Sequence, residues 1–275
     1  MKKRGTTIIL LLVLIAGLSL LLYPTLADWW NSMTQSRAVA SYVEAVAQID
    51  DEQYARLWNE ALEYNRSLTS RDNDYLLNQE QKATYEEILD IGGLGIMGYI
   101  EVPSIGVTLP IYHGTDETVL QVAIGHLEWT SLPVGGKSSH CVVSGHRGLP
   151  SARLFTDLDK LTTGDVFVLR VLDEILTYEV DQILIVEPHD TEALQIVKGE
   201  DFCTLITCTP YGVNSHRLLV RGHRVENLDV AVAIRATADA TQIKPAIVAP
   251  ILAIPMLLVL LIGLLIPKSG RRRFD

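Results

Sequence analysis

Three kinds of hydrophobic pattern follow one another along the chain. Residues 8–22 are almost wholly apolar, with Lys2, Lys3 and Arg4 before them and Trp29 and Trp30 after. A membrane span needs roughly 20 apolar residues. Residues 8–27 supply that length and leave the tryptophans at the outer interface. A cleaved signal peptide fits the same stretch, with Thr25-Leu26-Ala27 as the processing site, and both readings stay open. Residues 36–66 change to helical spacing: Val39, Tyr42, Val43, Val46 and Ile49, then Tyr54, Leu57, Trp58, Ala61 and Leu62. Such a stripe marks a helical face that packs on a larger domain. Residues 67–80, SLTSRDNDYLLNQE, are polar and irregular and read as a loop.

From Gly98 the period shortens to that of strands. GYIEVPSIGVTLPIY alternates and is interrupted by prolines. CVVSGH, DVFVLRVL, ILTYEV, QILIVEP, FCTLITC and RLLVRGHRV are short runs rich in valine, isoleucine and leucine, separated by turn residues. Many short strands at regular spacing predict a mainly β fold, a closed or nearly closed barrel. LPSARLFTDLDKL, residues 149–161, reads as a short helix and turn between strands. Residues 226–244 lack periodicity and read as a tether. Residues 245–267 carry no charge and precede Lys268, Arg271, Arg272 and Arg273, which predicts a second membrane span. Pro250 and Pro255 within it are tolerated in membrane helices. Both basic flanks belong in the cytoplasm, which puts residues 28–244 outside.

Composition narrows the class. The 275 residues carry a formal net charge of −10, so there is no electrostatic footprint for nucleic acid. Three cysteines do not make a disulfide scaffold, and their odd number leaves at least one thiol unpaired in the monomer. Cys141 and Cys203 lie on runs that could be neighbours. Two buried free thiols are expected there rather than a bridge.

Cys208 ends the run FCTLITC and precedes the turn sequence Thr-Pro-Tyr-Gly. A nucleophilic thiol needs a nearby cation or base. His146 also ends an apolar run and opens a glycine-containing turn. Arg217 opens RLLVRGHRV. If residues 202–208 and 217–225 form a hairpin, Arg217 lies across from Cys208, where a guanidinium can hold a developing oxyanion. His216 is adjacent to Arg217, so on a strand it points the opposite way. His223 is in phase with Arg217 but too far along the strand. His113, His126, His140 and His189 are expected to be surface or hydrogen-bonded histidines. By spacing alone the Cys-His-Arg set is only suggestive.

The motifs themselves resemble those of sortases, the transpeptidases of Gram-positive surfaces. TLITC matches the Thr-Leu-X-Thr-Cys signature, SGHRG the histidine motif and NSHRLLVRGHR the arginine motif; the similarity runs over residues 94–225. The C-terminal apolar segment makes the chain similar to the class C, pilin-polymerising branch. The resemblance implies a sortase-type barrel and a Cys208 thiolate that attacks the Thr–Gly carbonyl of an LPXTG-like sorting signal. It implies His146 as acid and base, Arg217 on substrate and oxyanion, and Thr207 orienting substrate or arginine. The partners implied are pilin or surface proteins bearing the signal and an acceptor lysine of the next subunit. No metal or organic cofactor is implied. Class C enzymes typically carry a lid with an Asp-Pro-aromatic motif. Here SRDNDYLLNQ keeps Asp74 and Tyr75 without the proline, so the segment is either an altered lid or a plain connection.

These readings divide the chain into an anchor or signal segment (1–27), a helical region with a possible lid loop (28–93), a catalytic barrel (94–227), a tether (228–244), a membrane helix (245–267) and a basic tail (268–275). Rival functions are a sortase that attaches surface proteins to cell-wall peptide, and a catalytically silent, membrane-tethered binding domain.

Overall fold

In the computed structural model, which describes residues 2–69 and 77–227, the first element is one long helix, α1 (Lys2–Val46). It joins two segments that the hydrophobic pattern separates. The apolar run continues through Pro24 into the amphipathic stripe without a break. The stretch Thr7–Val46 is long and apolar enough to cross a membrane. The stripe of residues 36–66 is cut after Val46. A turn leads to Asp50, whose carboxylate accepts the Gln53 N–H at 2.8 Å and starts α2 (Asp51–Leu68). A third helix, α3 (Gln79–Glu87), begins at a reciprocal cap between Asn78 and Gln81. Asp74, Tyr75 and the C-terminal apolar segment lie outside the described residues.

Eight strands follow: β1 (Ile96–Val102), β2 (Val107–His113), β3 (Ile124–His126), β4 (Ser139–Ser144), β5 (Val166–Val171), β6 (Glu174–Val186), β7 (Asp201–Thr209) and β8 (His216–Val225). They close into a barrel in the order β1-β2-β3-β4-β7-β8-β6-β5. The β2–β3 and β4–β7 pairs are parallel and the others antiparallel. ILTYEV and QILIVEP, two runs in the sequence, are one strand. The register of β6 on β8 slips between Val180 and Gln182. This bulge frees Asp181 to grip Arg221 through two hydrogen bonds, of 3.0 and 2.8 Å. Residues 149–161 do not form the expected helix beyond a single 3-10 turn at Leu158–Lys160. Their backbone donors are used elsewhere: Arg153 N–H bonds the Asp28 carboxylate and Phe155 N–H bonds the His146 carbonyl.

Tyr178, Phe155, Phe167, Met97 and Ile100 are fully buried in the core. The helices are fastened to the barrel by buried polar groups as well as by apolar faces. The Tyr42 hydroxyl donates to the Met97 carbonyl at 3.0 Å and accepts from Leu172 N–H at 2.7 Å. Asn65 exchanges both its amide groups with the backbone of Leu132. The Tyr85 hydroxyl meets His126 Nδ1 at 2.9 Å and accepts from Gly114 N–H. Gly125 permits the close passage of β3 against the end of β2, since a Cβ there would lie 2.0 Å from the Gly114 carbonyl oxygen.

Candidate active site

Strand register brings the three expected side chains to one end of the barrel. Cys208 and Arg217 are direct partners across the antiparallel β7–β8 pair, the geometry that opposes side chains on one face. Beside them, β4 runs parallel to β7 with Ser144 opposite Ile206, and Gly145 N–H extends the ladder to the Ile206 carbonyl at 3.0 Å. His146 therefore lies two residues past Ser144, just as Cys208 lies two past Ile206. This adjacency joins segments 62 residues apart in the chain.

Each side chain is prepared differently. Cys208 is half-buried and unbridged. Arg217 Nη1 is held by the carbonyls of His216 at 3.1 Å and Asn214 at 3.4 Å. His146 Nε2 is buried and has no hydrogen-bond partner among the described residues. A buried polar atom left unpaired calls for a reason; His223 Nδ1, at the far end of the barrel, is unpaired as well among the described residues. Thr207 faces the interior and its hydroxyl donates to the Gly145 carbonyl at 2.8 Å. Gly145 has no room for a side chain, because a Cβ would sit 2.8 Å from both Ile124 and Phe155.

Arg147 is a residue that sequence reasoning did not single out. Its guanidinium pairs with Asp159, donates to the Thr209 hydroxyl at 3.1 Å and lies 5.9 Å over the Tyr211 ring. It thereby ties the neighbour of His146 to the neighbour of Cys208. Its only signal in the sequence is its place after the histidine in SGHRG.

An apolar strip leads away from the cysteine on the same face of the barrel. Val142, Ile206, Leu219 and Leu194 form a buried cluster, bordered by Leu127, Trp129, Leu184, Val186 and Ala193. A cavity of about 760 Å³ continues at its far end, with Trp129, His140, Leu194 and Arg66 among its walls.

Of the other histidines, His189 is exposed and His223 Nδ1 is buried without a hydrogen-bond partner among the described residues, while four are engaged elsewhere. His126 is clasped by Tyr85 and by the Ser131 carbonyl at 2.8 Å. His113 Nε2 meets the Ile88 carbonyl at 2.7 Å. His140 bridges the Gln195 carbonyl and the Thr204 hydroxyl. Burial holds its pKa down at about 4, against the pull of the Gln195 carbonyl. His216 reaches Glu187 at 3.3 Å, and His223 is opposite Phe202, six residues down β7 from Cys208. Cys141 and Cys203 are direct partners on β4 and β7, both buried and both free thiols.

Comparison with known proteins bears on the family of the chain. The Sortase domain family model matches residues 100–225. The crystal structure of sortase C1 from Streptococcus agalactiae is 52% identical, with a TM-score of 0.68; the match covers 70% of this chain and 99% of that one. Streptococcus pneumoniae sortase C, whose structure was described with regard to catalysis and pilin substrate specificity, is 44% identical at a TM-score of 0.63, covering 69% of this chain and 96% of that one. Among curated relatives, sortase D of Bacillus subtilis is 30% identical over 131 residues, which is 46% of this chain and 63% of that protein's length. Identity of this level, carried over nearly all of a solved chain and over the same barrel, places the chain in the sortase family and, within it, in the class C branch.

Proposed function

We propose that the protein is a membrane-anchored cysteine transpeptidase that cleaves an LPXTG-like sorting signal and joins pilin subunits through lysine isopeptide bonds. The observation that carries this reading is the register pair of Cys208 and Arg217 with the unpartnered Nε2 of His146 on the adjoining strand end. The Cys208 thiolate attacks the carbonyl carbon of the Thr–Gly bond. The resulting oxyanion is stabilised by the part of the Arg217 guanidinium not engaged with backbone carbonyls. His146 gives its proton to the leaving glycine amine, and a thioester remains on Cys208. A lysine amine then attacks the thioester, His146 takes its proton, and the thiolate is regenerated. Thr207 acts through the loop, fixing Gly145 and with it the start of the histidine turn. The apolar strip beside Cys208 is the natural bed for the leucine and proline of the signal.

The pilin assignment draws on the similar class C enzymes. One is described with regard to pilin substrate specificity, and Clostridium perfringens sortase C, 41% identical, is described with the C-terminal cell wall sorting motif. The apolar part of α1 is the anchor. The basic residues before it and after residue 267 support a barrel outside the cell and both termini inside.

The test is to incubate the purified chain with a pilin bearing the signal and follow Cys208 by mass spectrometry, with Cys208→Ala alongside. A thioester with pilin–pilin ladders is the expected result. A thioester without ladders points to cell-wall peptide as acceptor. No adduct with any sorting peptide would sink the enzyme reading in favour of a silent binding domain.

A further inference from the structure

We infer that the catalytic end of the barrel is held against the lipid headgroup layer by α1, so that the site works at the membrane surface rather than out in the wall. The inference rests on α1 being a retained membrane span, and it adds the direction in which the barrel faces.

Contacts along α1 order the barrel by height. Taking residue 27 as the end of the apolar run and 1.5 Å per residue, Asp28, Asn31, Gln35 and Tyr42 stand about 1.5, 6, 12 and 22 Å above it. Asp28 accepts the Arg153 N–H at 2.8 Å. Asn31 Nδ2 donates to the Ser151 carbonyl at 2.8 Å, and Gln35 Nε2 to the Val122 carbonyl at 2.7 Å. Residues 151 and 153 belong to the loop that follows His146, and Val122 precedes β3, whose Gly125 pairs with Ser144 at the catalytic end of β4. Tyr42, at the upper level, bonds Leu172 in the turn between β5 and β6. That turn is at the opposite end, because β6 runs from residues paired with Val225 to Val186, paired with Arg217. The low contacts are all at the catalytic end and the high one at the far end. The spacing of 28, 31, 35 and 42 keeps these residues on one face of the helix.

The interfacial layer is about 5–8 Å thick on each side of the hydrocarbon core. The loop at 151–153 therefore lies within it. Next to this loop are side chains suited to that layer. Tyr211 is 61% and Val213 70% exposed, on the turn between Cys208 and Arg217. Tyr211 packs so closely on Gly148 that a Cβ there would lie 2.7 Å from its ring. Trp29 and Trp30 are exposed on the helix at the same level, and aromatic rings of this kind favour the interface. The return path is long enough. The described chain ends at Asn227, at the far end of the barrel, and the 17 residues before the second apolar segment can reach roughly 58 Å when extended.

The test uses the full chain with Cys208→Ala, in phosphatidylcholine vesicles containing a headgroup spin-labelled phosphatidylcholine. Val213→Cys and, separately, Asp173→Cys carry an environment-sensitive fluorophore; Cys141 and Cys203 are buried. Quenching about threefold stronger at 213 than at 173 is expected, and equal or weaker quenching at 213 overturns the inference. Insertion of seven alanines between residues 27 and 28 lifts the barrel about 10 Å while nearly preserving the helix face. It should bring quenching at 213 down to the level at 173, and unchanged quenching again overturns the inference. Intact mass and resistance to alkaline extraction report the span separately. Loss of residues 1–27 would overturn the anchor reading and this inference together, whereas an intact, inextractable chain without quenching at 213 would overturn this inference alone.

Discussion

Thr207 and Cys208 are adjacent on β7 and face opposite ways, so substitutions at the two separate positioning from chemistry. Thr207→Val keeps the shape and takes the hydroxyl partner from the buried Gly145 carbonyl. The loss should cost about 1–3 kcal/mol of stability. It should also lower kcat about tenfold with KM little changed, and Thr207→Ser should restore both, as read by urea melts and steady-state kinetics. Arg147 is the second positioning residue. Arg147→Met releases the Thr209 hydroxyl and Asp159 together, and kcat should fall about five- to tenfold. Asp159→Asn should act in the same direction but less, because that carboxylate is 45% exposed and its pairing is screened by solvent. Cys208→Ala should leave the fold intact, as read by urea melts, and abolish any thioester seen by mass spectrometry.

Among the elements, α1 is fastened to the barrel in part by a single hydroxyl. Tyr42→Phe deletes one hydroxyl that serves both the Met97 carbonyl and the Leu172 N–H. At about 1 kcal/mol net per hydrogen bond, the cost is about 2 kcal/mol, or a fall in Tm of roughly 4–8 °C. Amide exchange at Leu172 should quicken more than elsewhere in the barrel. The same element shows the reach of pattern reading. Its two stripes were legible, one apolar all round and one amphipathic, because each follows from local spacing. Their fusion into one helix was not, because it depends on Asp28, Asn31 and Gln35 finding partners more than 80 residues away. Residues 149–161 failed as a helix for the converse reason: tertiary acceptors claimed the N–H groups a helix would have used.

For the molecule as a whole, His140 links stability to pH. Its unfolded pKa is near 6.5 and its native pKa about 4, chiefly through burial, with the Arg221 cation pushing the same way and Asp181 opposing. Between these values the unfolded chain binds more protons, so stability rises with pH across that window. On going from pH 7 to pH 4 this group alone should remove about 3 kcal/mol. Urea denaturation at the two pH values reads the effect, and His140→Gln should flatten it. Because His140 fastens the Gln195 segment to β4, the wall of the apolar strip should loosen first as pH falls.

The sequence by itself determined the membrane-like N-terminal run, the mainly β barrel and the candidate site residues Cys208, His146 and Arg217. These follow from periodicity, from turn residues and from short motifs, two of which, around Cys208 and Arg217, sit on one hairpin. The opposition of Cys208 and Arg217 was legible for that reason: the short connection at residues 210–215 makes β7 and β8 antiparallel neighbours. Only the tertiary structure decided that His146 joins them. The parallel β4–β7 pairing spans a long crossover, and local spacing carries no information about which distant strands become neighbours. The same holds for the Arg147 bridge and for the end of the barrel that α1 holds lowest. Each depends on closure of the barrel, which brings together backbone groups that the chain keeps far apart.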